Sequence, residues 1–178
     1  ETHVECEGVQ ATACFALSRI AWNFPDGGAQ LVQEQGMIGQ IKLAMQKHEG
    51  RENVQANACF ALGHIAASSP EGGAQLVKEQ RMIGQIKLVM ETHVERESVQ
   101  ANACFALGHI ANSLPESGAQ LFQELGVVGQ IKLAMETHVE CEGVQATACF
   151  ALSRIAWNFP DGGAQLVQEQ GMIGQIKL

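Results

Sequence analysis

His3 and Cys6 could together ligate a soft metal, and His138 with Cys141 repeats the pair. A zinc site ordinarily takes four such ligands. In between, the same columns carry His48 with Arg51 and His93 with Arg96, so the thiol is lost there. Two ligands do not close a site, and no metal or cofactor is expected. Four further thiols, Cys14, Cys59, Cys104 and Cys149, each sit between Ala and Phe in an apolar stretch. A thiol in that setting behaves as a small buried hydrophobe. Stacked helices lie roughly 8–10 Å apart, too far for a disulfide, which needs Cα atoms within about 7 Å. Free thiols are therefore expected, which suits a reducing compartment. The expected location is cytoplasmic, with an extracellular fibre as the alternative. Cys6 and Cys141 fall at loop-to-helix junctions and are expected at the surface.

The carboxylates Glu5, Glu7 and Glu34 fall on polar faces and loops, where water solvates them. No nucleophile stands beside a base and an orienting acid. Asp26-Gly27-Gly28 reads as a turn rather than a phosphate-binding loop. The chain is therefore expected not to be an enzyme. An unperturbed imidazole titrates near about 6.5. If His64 and His109 line a groove, affinity for an acidic partner should rise as the pH falls towards about 6.

These residues recur because the chain repeats itself. The string VQAxACFAL starts at Val9, Val54, Val99 and Val144, and GQIKL at Gly39, Gly84, Gly129 and Gly174. Both recur every 45 residues, which divides a single array into units 1–45, 46–90, 91–135 and 136–178. Glu1–Leu43 and Glu136–Leu178 are identical at every position. Independent drift does not leave that; recent duplication, gene conversion or deliberate construction does. A higher-order unit of 135 residues, entering its second copy at Glu136, is a further expectation. The chain opens on Glu1 rather than Met, as a fragment or processed product would.

In the first unit, Glu7 to Trp22 places Val9, Ala13, Leu17 and Ile20 at helical spacing. Cys14, Ala16 and Ala21 widen that stripe. Asn23-Phe24-Pro25-Asp26-Gly27-Gly28 must break the helix, although Pro25 can occupy the first turn of the next one. Ala29 to Gln35 predicts a short helix with Leu31 and Val32 inward. Gly36 suits a left-handed cap, and Met37 to about Met45 predicts a third helix. Arg81 occupies the Gly36 column in unit two, at about 1 kcal/mol if the left-handed geometry persists. No strand signal appears. One unit cannot bury its own apolar faces, but stacked neighbours can. The expected fold is all-α, an α-solenoid of about four repeats.

Apolar residues make up 46% of the chain, yet no run approaches the roughly 20 residues that span a bilayer. The net charge is −8, without basic clusters. Neither nucleic acid nor an anionic membrane surface is an expected partner.

VQANACFALGHIA resembles the third helix of an armadillo repeat. P-x-G-G-A-Q-L-V-x-E-Q-G and M-I-G-Q-I-K-L-A-M resemble its first and second helices. The likeness covers the whole chain. Three helices per unit set it apart from two-helix HEAT repeats. The unit is slightly longer than the common armadillo length, and Gly39 stands where many members carry proline. The resemblance implies a right-handed superhelix whose long helices line a concave groove. In peptide-binding members that helix carries a Trp and, four residues later, an Asn that holds a peptide backbone. The Trp position falls on Phe15, Phe60, Phe105 and Phe150. The Asn position falls on Arg19, His64, His109 and Arg154. Arg and protonated His only donate hydrogen bonds, whereas Asn also accepts, so the usual peptide ladder is altered here. Beyond it stand Trp22 and Trp157, with Ala67 and Asn112 in the middle units. Spacing puts Phe15, Arg19 and Trp22 on one helical face.

Two functions follow as expectations. The first is a scaffold for protein–protein interaction that holds an acidic or aromatic partner segment along this ladder. Arg suits carboxylates by bidentate contact and stacks on aromatic rings. The alternative is a structural filament or spacer, built as copies stack end to end through near-identical surfaces.

Overall fold

The computed structural model describes residues 3–24, 29–31, 36–68, 70–78, 81–113 and 125–158. All regular secondary structure among them is α-helical. The long helices are α1 (Glu7–Asn23), α3 (Glu52–Ser68), α6 (Glu97–Asn112) and α8 (Glu142–Asn158). The medium helices are α2 (Met37–Lys47), α5 (Met82–Thr92) and α7 (Val127–Thr137), and one short helix, α4 (Pro70–Lys78), is described in full. Each long helix starts on a glutamate, whose charge complements the positive end of the helix dipole.

The long helices pack in chain order, α1 on α3, α3 on α6 and α6 on α8. Each medium helix rests on the long helix of the following unit. One continuous core results. Small side chains let the long helices approach: Ala58, Ala61, Ala103, Ala106, Ala148 and Ala151 are fully buried. Cys59 and Cys104 fill the column between them, also without exposure. Every cysteine among the described residues is a free thiol, as expected.

The outer long helices bury different faces. In α1 the buried residues are Ala11, Cys14, Ser18 and Ala21, the side that meets α3. Val9 and Ile20, expected inward, are 46% and 37% exposed, and Ala13 is exposed as well. Their counterparts Val54, Ala58 and Ile65 in α3 are wholly buried, because a preceding unit covers that side. Apolar periodicity identifies both faces of such a helix, but neighbours decide which are covered.

Two features of the connections differ from, or bear out, the sequence reading. In unit two Pro70 opens α4, and Glu71, Gly72 and Gly73 are helical. Pro70 thus takes the first-turn position read for Pro25, whereas the next three columns, read as a turn at Asp26-Gly27-Gly28, are helical there. Proline is favoured at that position because its missing N–H would have no intrahelical partner. Residues 25–28, the same column in unit one, lie outside the described residues, as do 32–35 of the predicted short helix. Gly36 and Gly126 take φ of +86° and +65° just before the medium helices. Arg81 takes φ +88° in the same column, so it bears the left-handed strain that glycine avoids.

Candidate partner-binding site

The expected ladder forms a row of rings running across the stacked long helices. Glycine makes this possible. A Cβ on Gly63 would lie 2.4 Å from Cδ1 of Phe105, and one on Gly108 would lie 2.6 Å from Cε1 of Phe150. Each phenyl ring therefore lies directly over the glycine of the preceding long helix. The following residue, His64 or His109, then packs its imidazole against the rings on both sides. Trp22 meets His64 edge-on at 5.0 Å between ring centroids. His64 lies 4.4 Å from Phe60 and 5.1 Å from Phe105. His109 lies 4.6 Å from Phe105 and 4.8 Å from Phe150. The row ends on Arg154, whose guanidinium lies 5.3 Å from the centre of the Phe150 ring. Such edge-to-face and cation–π arrangements each add favourable electrostatics to the burial of the rings.

This arrangement overturns the picture of free imidazoles in a groove. His64 is buried and His109 partly buried. Burial holds the His64 imidazole below its ordinary range, and the nearby Arg19 charge adds to this. His109 is pushed down to about 4, first by burial and then by His64 and Arg154. The His109 ring is neutral at pH 6 and burial works against a charge on His64, so neither ring is the open imidazole that would draw an acidic partner as the pH falls towards that value. Phe60, Phe105 and Phe150 are partly buried spacers between helices.

What the surface offers lies at the two ends of the row. At one end Phe15, Arg19 and Trp22 are exposed together on α1, with Trp22 at 63%. Trp22, Phe24, Ala21, His64, Ala67 and Ser68 line a recess of about 210 Å³ between α1 and α3. At the other end Arg154 and Trp157 are exposed on α8, with Trp157 at 81%. Arg154 Nη1 donates to Asn112 Oδ1 of the preceding unit at 3.4 Å. The expected site residues thus divide into a packed middle and two exposed ends.

No family model, curated protein or solved structure matches the chain.

In the histidine column of the candidate pairs, three members bond the backbone of the preceding unit. His48, His93 and His138 each donate from Nε2 to a backbone carbonyl 44 residues earlier, on Val4, Glu49 and Val94, at 2.6–2.8 Å. Among the described residues no three His, Cys, Asp or Glu side chains gather as a metal site. Arg51 and Arg96, in the Cys6 column, instead reach Glu7 and Glu52 of the preceding unit at 3.4 and 3.3 Å. The column thiols Cys14, Cys59 and Cys104 are pushed up to about 11, 12 and 12 by burial, which keeps them protonated and unreactive.

A second set of polar residues was not singled out from the sequence. The side-chain amides of Gln55, Gln100 and Gln145 each donate two bonds, to the carbonyls of Met45 and His48, Met90 and His93, and Met135 and His138. These carbonyls lie at the end of a medium helix, where no intrahelical donor remains. Asn57 and Asn102 tie each long helix to the previous one through Ala11 O and Ala56 O at 3.1 and 3.0 Å. The signal was available: a glutamine stands unchanged at the same place in four apolar helices.

Proposed function

We propose that this chain is a non-enzymatic scaffold for protein–protein interaction. It is read as an armadillo-like α-solenoid, a right-handed superhelix of four 45-residue units that holds a partner segment along the face bearing the ring row. The observation that carries the reading is the pairing of exposed arginine and tryptophan at each end of that row: Arg19 with Trp22, and Arg154 with Trp157. Surfaces rarely leave two tryptophans largely in water, and Trp and Arg are the side chains on which binding energy concentrates. The packed rings between them form a rigid floor. With His109 neutral and burial disfavouring charge on His64, the arginines are the row's main cations, which favours a segment with carboxylates near its ends and apolar residues between. The sequence repeats in register, and bonds between units span 42–47 residues. That supports the solenoid reading.

The proposal extends to compartment and partners. A cytoplasmic setting fits the buried free thiols. A protein or peptide partner fits the acidic surface better than nucleic acid or a membrane does. No helix among the described residues is long and apolar enough to cross a membrane.

The test is selection of displayed 15-residue peptides on the purified chain, followed by titration of the fluorescently labelled winners by anisotropy. Acidic, aromatic-bearing peptides should emerge. Replacing Trp22 and Trp157 by Ala should weaken them at least about tenfold, since a central aromatic anchor is typically worth more than one decade of affinity. Selection of no peptide, or binding indifferent to both tryptophans, would overturn the reading.

A further inference from the structure

Two junctions between long helices are closed in different ways. Where α6 meets α8, Asn158 reaches across from α8, and its side-chain amide donates to Ala111 O at 3.0 Å. That carbonyl needs an outside donor. It lies in the last turn of α6, and the residue four positions on is Pro115, which has no N–H. Two repeats earlier, Ala21 and Pro25 stand in the same columns, but the asparagine column holds Ser68. Ser68 is too short to cross, and its Oγ donates to Ile65 O of its own helix at 3.1 Å. Ala21, Trp22, Phe24, His64, Ala67 and Ser68 line the recess of about 210 Å³ that results. Both α1 and α3 belong to the chain, so the recess is a junction between its own units.

We propose that this recess is a subsite for a primary carboxamide, the side chain of a Gln or Asn on the bound segment, taking the seat that Asn158 fills between α6 and α8. A carboxamide brings two N–H donors and an acceptor on one flat group. One donor completes Ala21 O, as Asn158 completes Ala111 O. His64 also walls the recess, and its buried Nδ1 has no hydrogen-bond partner among the described residues. A second polar atom of the wall is thus unsatisfied, and buried polar atoms are costly to leave so. Trp22 and Phe24, both exposed, offer apolar surface to the body of the group. The other polar classes fit worse. An ionised carboxylate only accepts hydrogen bonds, so it leaves the carbonyl unmet. An ammonium or guanidinium meets the charge of Arg19, which already acts on His64. That the carboxamide comes from a bound segment rests on the reading of this face as a partner-binding surface; the preference of the recess for a carboxamide does not.

The experiment is titration of the full chain with benzamide, followed by proton–nitrogen NMR, the two indole signals being assigned through Trp157→Phe. Benzamide should bind with a roughly millimolar constant, the strength expected of so small a ligand. The indole N–H of Trp22 and the backbone amide of Ser68 should shift together, and the indole of Trp157 should not. Benzoate and acetophenone keep the ring without the N–H donors, so they should bind at least about tenfold more weakly. Ser68→Asn supplies the carboxamide from within. It should abolish the benzamide shifts and raise the thermal midpoint of unfolding, which also reports that the fold is intact. Absence of benzamide binding overturns the proposal. So does equal binding of benzoate or acetophenone, or unchanged benzamide binding in Ser68→Asn. Peptide selection tests the source separately: benzamide binding at the recess with no peptide selected retires the partner reading and keeps the carboxamide subsite. In a selected peptide, exchanging its Gln or Asn for Leu should weaken binding to the chain and leave binding to Ser68→Asn unchanged.

Discussion

His109 shows what a neighbour's side chain can do to a titrating group. The ring is held between Phe105 and Phe150, with His64 and Arg154 as the charges facing it. Its proton affinity falls from the ordinary 6.5 to about 4. In the unfolded chain the ring binds its proton near the ordinary value. Between those two values the unfolded state carries more protons, so stability rises with pH across the window. The contribution is complete above pH 6.5 and is lost as pH falls through about 4. Allowing for screening at its solvent-facing edge, the loss should be on the order of 1–2 kcal/mol. Urea unfolding midpoints at pH 7 and pH 4.5 measure it. His109→Gln should flatten that dependence, while partner affinity changes little between pH 7 and pH 6. The sequence placed an imidazole in the ladder but could not show this, since its neutral state depends on His64 and Phe150, 45 and 41 residues away in units two and four.

At the scale of helices, the positions of the elements were legible and their surroundings only partly so. The long helix was read as Glu7–Trp22 and spans Glu7–Asn23, because the glutamate start and the apolar period are local signals. The left-handed cap column was legible too, since glycine marks it and Arg81 inherits it. Glycines inside helices carry no such local meaning. Gly39 and Gly63 both lie in helices, yet a Cβ on Gly39 meets nothing within 4 Å, whereas one on Gly63 meets the Phe105 ring and the Ala106 Cα at 3.2 Å. Gly39→Ala should therefore stabilise the chain by roughly 0.5–1 kcal/mol through helix propensity. Gly63→Ala must displace a packed ring and should destabilise by about 1–3 kcal/mol. Thermal unfolding of the two variants checks both signs. The serines in this column in units one and four travel with arginine, and the glycines with histidine, so the pair Gly-His marks where a ring row can continue.

For the whole molecule, coverage sets stability. Helices α3 and α6 have a long helix on either side, while α1 and α8 have one each among the described residues. In a stack where each unit touches only its neighbours, opening an outer helix breaks one interface and opening an inner helix breaks two. Amide exchange should therefore grade along the chain. Protection should be greatest in α3 and α6, around Leu62, Ile65, Leu107 and Ile110, all without exposure, and lower in α1 and α8. The difference should be several kcal/mol in opening free energy, since the apolar side chains that lose cover are each worth about 1.5–3 kcal/mol. Exchange read by mass spectrometry at low concentration measures this gradient in the isolated chain. Uniform protection across all four long helices would mean that the chain opens as one unit, with no weak ends.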